Sequence, residues 1–545
     1  MTVATGGEHL VAALAHAGVT RVFGVPGESF LGVLDALGTG PVRWTTARHE
    51  GAAAFMASAF AKVAGEVAVC MGTRAVGTAN LAIGVHNARQ DSTPMLAVAG
   101  DVNRGFAGRE AFQEVDLVAA MTPWCKWAGR AEDPARLPET VARALAAATG
   151  GRPGPAFLAV PQDVAREMAG ADPVALPAVP PQPAPAAAVD AVAAALGASR
   201  RPLVFAGGGA ARSQADVDAL VALAERFETA VMVGWRHHDL FPNDHRLYAG
   251  TAGLGSPTVV WERLGSADLV VALGNRLQEN STDGYRYPSP STRLIRVDID
   301  PGAAGTAAGD LLIIADAPTT VGQLLRHPLP PVDASSRRAV NDEHRRRLDR
   351  STSLPPAASA GRGRVSYQAV VRALDTLAPG SVITTDAGNF YGWVARYHRF
   401  VRFGTYLGPA SGAMGYGLPA AIGAKLAAPD RPVVALAGDG GASMTIAELE
   451  TAARSGAPVV LLVLDNRRHG TIRMHAEGVG RRPPVGTELG AVDFAAVGRG
   501  LGASGVTVSA DADVAPALAA AVAGGRPAVI HCLMDPDQLS VDRRL

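Results

Sequence analysis

Asp439 and Asn466 are the two side chains whose types and spacing most directly suggest chemistry. They stand 27 residues apart, one inside Gly438-Asp439-Gly440-Gly441 and the other just beyond the apolar run Val459–Leu464. That separation is about one strand-helix-strand unit, so both should emerge at the same edge of a parallel sheet. A carboxylate and an amide oxygen are hard donors that suit Mg2+, which takes few protein ligands and completes its octahedron with water and phosphate oxygens. The flanking glycines would expose backbone N–H groups at a helix start, where the dipole favours a diphosphate. Gly-Asp-Gly alone also reads as a strand-to-helix turn with an N-cap aspartate. The asparagine at the right distance, in a strand context, shifts the reading toward a metal–diphosphate site.

Particular elements are needed to hold such residues. At about 150 residues per domain, 545 residues make three or four α/β-sized domains and exclude a disulfide-stapled or single-core protein. Fifty Lys+Arg balance fifty Asp+Glu, so no field of one sign draws the chain to nucleic acid or a membrane surface. With 48% hydrophobic and 18% charged residues, cores are well supplied and a homo-oligomer is expected. Cys70, Cys125 and Cys532 are too few and scattered for a disulfide framework or a structural zinc site, so a cytoplasmic location is expected. The first residues read as an amphipathic helix with Leu10, Leu14 and Ala17 on one face, not as a secretory signal. Apolar runs are strand length, far short of the roughly 20 residues of a membrane span.

Proline-dense stretches at Asp172–Pro185 and His327–Arg364 read as linkers between blocks 1–171, 187–326 and 366–545. Each block alternates β-branched runs with Ala-rich stretches, the pattern of doubly wound parallel α/β sheets. Strands are predicted at Ser381–Thr384, Val433–Ala437 and Val459–Leu464, and in the middle block at Pro202–Ala206, Leu269–Leu273 and Leu294–Ile299. Gly207, Gly208 and Gly209 after the first of these suit a nucleotide or a structural turn equally. A strand at Val42–Thr46 leads into a helix that begins at Glu50, a place where a glutamate ordinarily serves the helix dipole. His237-His238 reads as a loop pair, because adjacent strand residues point oppositely and would not share a metal.

In this order the segments resemble the thiamine diphosphate (ThDP) enzymes of the acetolactate synthase-like group, large catalytic subunit type, over nearly the whole chain. The resemblance implies a pyrimidine-binding domain at 1–171, a central Rossmann-like domain at 187–326 and a diphosphate- and Mg2+-binding domain at 366–545. It implies that Asp439 and Asn466 coordinate the metal with a backbone carbonyl near Arg468, while Gly438, Gly440 and Gly441 lie against the diphosphate. The stretch Gly408–Ala427, GPASGAMGYGLPAAIGAKLA, is similar to the family segment that holds the aminopyrimidine. There Gly412 would accept from the 4′-amino group and Met414 would prop the bent cofactor. TDAGNFYGW resembles the loop near the diphosphate, with Gly388 in place but Asn389-Phe390 where related synthases carry Gln-His. Glu50 is implied to hydrogen-bond N1′ of the ring, a task that needs a desolvated carboxyl with a raised pKa. Pro26, Gly27 and Asn80 match cofactor-side positions, and Phe112-Gln113 matches a loop that approaches substrate.

The implied activity is decarboxylation of a 2-keto acid, most simply pyruvate, with transfer of the acyl-anion equivalent to a carbonyl acceptor. Arg74 and Arg276 are candidate carboxylate anchors, since CO2 release needs the carboxylate held out of the ring plane. Arg74 opens Arg74-Ala75-Val76-Gly77 where most members read Ser-Gly-Pro-Gly, and it could grip a substrate anion or pair with a neighbour. His475 replaces a tryptophan that helps select a larger acceptor. Gly207–Gly209, Arg276 and Asp300 match a domain that binds FAD in acetolactate synthases, although GWRHHD at 234–239 replaces the family's basic loop. The alternatives are a non-ligating decarboxylase, a CoA-thioester lyase, or a non-catalytic protein of the same fold. A Rossmann dehydrogenase is disfavoured, because no G-x-G-x-x-G follows a strand with an acidic partner about 20 residues on. In this family Glu50 and Asp439 meet between subunits of a dimer or tetramer.

Overall fold

The computed structural model describes residues 2–176, 179–305, 309–328, 334–356, 364–480 and 484–545. Three six-stranded sheets, all parallel within themselves, form three α/β domains. In the N-terminal domain the sheet runs Arg43–Thr46, Arg21–Gly24, Ala68–Thr73, Met95–Asp101, Pro155–Pro161, Trp127–Arg130. In the C-terminal domain it runs Tyr406–Leu407, Val382–Thr385, Val433–Gly438, Val460–Asp465, Ala528–Leu533, Ser504–Val508. Numbered within its own domain, each has strand order 2-1-3-4-6-5. The central sheet, Tyr248–Thr251, Ala230–Val233, Pro202–Ala206, Leu269–Leu273, Arg293–Asp298, Leu311–Ile314, has the dinucleotide-fold order 3-2-1-4-5-6.

Strands such as Met95–Asp101 and Val460–Asp465 are buried at every position, as continuous apolar runs sandwiched by helices must be. Burying each such Val or Leu contributes about 1.5–3 kcal/mol. Strand boundaries fall within one residue of those predicted from the sequence. The chain start differs: Thr2–Thr5 is a strand paired antiparallel with Met168–Ala171, and the helix is Gly6–His16, opened by a Thr5–Glu8 capping box. His327–Arg364 is not a plain linker. It carries the helix Ser335–Ser351, whose buried Arg337 donates to the carbonyls of Leu196, Phe227 and Gly197 in the central domain. The prolines flank this helix rather than enter it, which is where proline is tolerated. Among the described residues no helix is long and apolar enough to cross a membrane.

GWRHHD splices the central domain to the C-terminal one. Buried Arg236 donates to Thr385 Oγ1 at 2.7 Å and Tyr406 OH at 2.6 Å, and its guanidinium stacks 3.8 Å from the Tyr391 ring centre. His238 Nε2 meets Tyr391 OH at 2.7 Å, and Asp239 accepts from the Thr405 and Tyr406 amides at 3.0 and 3.2 Å. Burial holds both histidines below the ordinary imidazole range, His237 down to about 3. The outer domains meet through Glu50–Ala64 and Gly417–Ala427. A Cβ on Gly423 would lie 2.1 Å from the Met56 carbonyl oxygen, so only glycine allows this approach.

Candidate active site

Val433–Gly438 and Val460–Asp465 lie side by side, so Asp439 and Asn466 leave the sheet at one edge. Asp439 opens the short helix Asp439–Thr445 and is 5% exposed, and its Oδ2 has no hydrogen-bond partner. A buried carboxylate oxygen without a donor is costly, and a cation beside it removes that cost. Burial and the neighbouring Asp465 carboxylate push Asp439 up to about 7. Burial acts on Asp465 too, but the His531 ring 2.9 Å away holds it below the usual carboxylate range. Asn466 Oδ1 accepts from the Arg468 amide at 3.2 Å. The Arg468 guanidinium is committed to Glu488 at 3.0 Å and the Pro536 carbonyl at 2.9 Å. Among the described residues no cluster of three or more His, Cys, Asp or Glu could hold a metal. An ion at Asp439 and Asn466 therefore needs further oxygen donors, which phosphate and water supply.

Two residues outside the sequence-level expectation belong to this edge. His469 comes back across it: a Cβ on Gly440 would meet the His469 ring at 2.7 Å and Met414 Cε at 3.4 Å. Asp386 ties the loops together. It accepts from the amides of Ala387, Gly415 and Tyr416 at 2.8, 2.9 and 3.2 Å, and a Cβ on Gly441 would sit 2.2 Å from its Oδ2. The loop of Gly412 and Met414 is thus held against that of Gly440 and Gly441. Burial pushes Asp386 up to about 6, although the three amides pull the other way. Gly412 has φ +70° and open space where a side chain would be, a left-handed turn that favours glycine. An acid two residues beyond a predicted strand end was the available signal for Asp386.

The N-terminal edge gathers Glu50, Asn80, Gly27 and Gly77. Glu50 opens the helix Glu50–Ala64, capped by His49, whose Nδ1 accepts from the Gly51 amide. Its carboxyl is 7% exposed and accepts from Asn80 Nδ2 at 2.9 Å. A Cβ on Gly77 would lie 3.1 Å from Glu50 Oε1, and one on Gly27 2.4 Å from the Thr73 side chain. Pro26 is exposed on the same loop as Gly27.

Within one chain these two edges sit apart. The helix Arg74–Asp91 runs in the same direction as Glu50–Ala64, because Asn80 meets Glu50 and Asp91 meets Lys62. Gly417–Ala427 crosses them in the opposite sense. Ser411, just before it, bonds Asn87 at 2.8 Å, whereas Glu448 and Arg454 reach the His49 amide and the Thr46 carbonyl beside Glu50. Asn87 lies seven residues beyond Asn80 on the same helix, about 10 Å along its axis, which sets the offset between Glu50 and the anchor of the Gly412 loop.

The remaining expected site residues are dispersed. Asn389 donates its side-chain amide to the Leu539 carbonyl at 2.9 Å, and Gly388 (φ +149°) makes room for the Phe390 ring. His475 is exposed on the helix Gly470–Val479, and Gln113 is half-buried with φ +60°. Arg276 is not brought to Arg74: it donates to the Gln90 carbonyl, at the far end of the helix that Arg74 begins. Gly207 and Gly208 of the central domain face protein. A Cβ on Gly207 would lie 2.4 Å from the Gly274 carbonyl oxygen, and one on Gly208 2.6 Å from the His237 ring. These contacts account for Gly207 and Gly208 without a bound nucleotide.

Comparison with known proteins agrees with this layout. Family models described as thiamine pyrophosphate enzyme, N-terminal TPP binding domain, central domain and C-terminal TPP binding domain match residues 4–120, 189–324 and 386–532. The chain is similar to the acetolactate synthase large subunit of Parasynechococcus marenigrum, at 33% identity covering 96% of this chain and 87% of that protein. It is 30% identical to the acetolactate synthase isozyme 1 large subunit of Escherichia coli, covering 98% and 94%. It is likewise 30% identical to a sulfoacetaldehyde acetyltransferase of Rhodobacter capsulatus, covering 97% and 94%.

Proposed function

This chain belongs to the thiamine pyrophosphate enzymes, and from that premise we propose that it decarboxylates a 2-keto acid, most simply pyruvate, and passes the acyl unit to a carbonyl acceptor. The observation that carries this reading is the buried, unpartnered Oδ2 of Asp439 beside Asn466 on one glycine-rich edge. Bound ThDP supplies the electron sink for the carbon–carbon cleavage. Asp439, Asn466 and the Arg468 carbonyl hold Mg2+ and so fix the diphosphate, with Gly438, Gly440 and Gly441 leaving it room. Gly412 and Met414 orient the aminopyrimidine from one side, and His469 closes the edge behind Gly440. Glu50 holds a proton at the ring nitrogen N1′, and Asn80 keeps the Glu50 carboxyl from swinging away. Burial and the Asn80 contact fix the Glu50 carboxyl in place for that role.

Because Ser411 anchors the Gly412 loop at Asn87, about 10 Å along the helix from Asn80 and Glu50, a single chain holds the two apart. We read the working site as a composite of the N-terminal edge of one copy and the C-terminal edge of another, in a homodimer or a larger assembly of such pairs. The acceptor is the finer question, and the sulfoacetaldehyde acetyltransferase among the relatives makes product analysis the deciding experiment. With ThDP, Mg2+ and pyruvate alone, acetolactate or acetoin is the expected product. Acetaldehyde without either would overturn the carboligase assignment in favour of a simple decarboxylase.

A further inference from the structure

Arg74 is placed as a receptor for an oxyanion that the reaction as proposed above does not need. It opens the helix Arg74–Asp91 one turn before Gly77, the glycine against which the Glu50 carboxylate lies. Its backbone is left-handed, φ +38°, and its side chain is 10% exposed. Strained backbone at a non-glycine residue persists where the surroundings impose it, and such positions cluster at ligand sites. One guanidinium nitrogen, Nη1, donates to the Phe112 carbonyl at 3.1 Å and pairs with Glu28 Oε1 at 3.1 Å. Nη2 reaches Gln162 Oε1 only at 3.4 Å, and the buried Nε has no partner. Nε and Nη2 form the side-on edge through which arginine grips carboxylates and sulfonates with two parallel bonds, and here that edge is idle or loosely held.

Glu28 does not compete strongly for the charge. Its side chain is 65% exposed, and an ion pair of that kind is worth about 0–1 kcal/mol, so Glu28 on Nη1 leaves most of the guanidinium charge to an anion at the Nε–Nη2 edge. The Phe112 ring, 5.6 Å above the guanidinium and 70% exposed, covers the position from solvent. Next to it, Gln113 carries another left-handed backbone (φ +60°), so substrate loop and receptor are ordered together.

We propose that Arg74 selects substrates carrying a second, retained oxyanion, a carboxylate or sulfonate that does not leave as CO2, received on its Nε–Nη2 edge while Glu28 remains on Nη1 as a competing negative charge. The inference rests on the 2-keto acid reading, and its test separates the two. Donors would be compared as 2-oxoglutarate against 2-oxopentanoate, and acceptors as succinic semialdehyde against butanal. The wild type should favour the charged member of at least one pair. Arg74→Gln should erase that preference by about tenfold to a hundredfold in kcat/KM, the worth of a hydrogen bond to a charged group, while sparing the neutral member. Arg74→Lys should restore part of it.

Independently of turnover, propanoate and ethanesulfonate should each raise the melting temperature of wild-type protein, more so for Glu28→Gln and not for Arg74→Gln. Equal losses for charged and neutral substrates would mean that Arg74 only holds the Phe112 loop, and would overturn the proposal. So would anion stabilisation that survives Arg74→Gln. A wild-type anion shift abolished by Arg74→Gln, in a protein that turns over no 2-keto acid, would uphold the receptor and sink the reaction. If Arg74→Gln does not fold, Glu28→Gln and Arg74→Lys decide the matter by the same two readouts.

Discussion

The N-terminal and C-terminal domains share one strand order and one helix arrangement, yet their carboxyl edges carry opposite chemistry. The C-terminal edge offers oxygen donors and bare glycine backbone: Asp439, Asn466, Gly440, Gly441 and Gly412. The N-terminal edge offers the buried acid Glu50, steadied by Asn80 and hemmed in by Gly27 and Gly77. The central domain, with a different strand order, has turned its own glycine-rich edge inward against Gly274 and His237. The fold thus supplies edges at fixed positions, and function depends on which side chains stand there. The difference also divides the labour. One edge should retain the cofactor and the other should use it.

That division can be broken by substitution. Asp439→Ala should abolish both turnover and the rise in melting temperature on adding ThDP with Mg2+, because the cation loses its carboxylate. Glu50→Gln should lower kcat by about 10²- to 10⁴-fold, the usual contribution of a positioned proton donor, while the thermal shift persists. If both variants lost the shift equally, the two edges would not have separate roles.

A smaller effect tests how the C-terminal edge is assembled. Gly441→Ala places a methyl 2.2 Å from Asp386 Oδ2 and should cost about 1–3 kcal/mol of unfolding free energy, read by denaturant titration. The smallest expected effect concerns Asp386 itself. Its folded pKa, about 6, lies above the ordinary aspartate value, so its contribution to stability is fully present below about pH 4 and is lost as pH rises through 6. Wild type should therefore lose stability relative to Asp386→Asn across that window, by on the order of 2 kcal/mol. A parallel pair of curves would show that Asp386 is not desolvated as described.

Much of this comparison was legible before any coordinates. Parallel strands buried on both faces read as continuous apolar runs, so Val433–Gly438, Leu269–Leu273 and their neighbours were found to within a residue. Asp439 and Asn466 followed because their positions relative to strand ends are a matter of spacing along the chain, whereas Glu50 at a helix start was singled out only by the family resemblance. What stayed hidden depends on distant segments. Asp386 gains its role only when Gly415, Tyr416 and Gly441 arrive from other elements. His469 matters because a turn folds it over Gly440. Helix Ser335–Ser351 was obscured by the prolines on either side, since composition averages over a boundary that the chain itself respects. The pairing of Arg74 with Glu28 and Phe112 joins three separate loops, which spacing along the chain does not reveal.

The central claim is that the two edges work together only between copies. It is tested by co-expressing two inactive chains, one carrying Glu50→Gln and the other Asp439→Ala. If sites are shared, each mixed dimer contains one site built from two intact edges, and random pairing should restore roughly a quarter of wild-type activity. Activity no higher than that of either variant alone, in preparations shown to contain mixed dimers, would contradict the account and place the whole site within one chain.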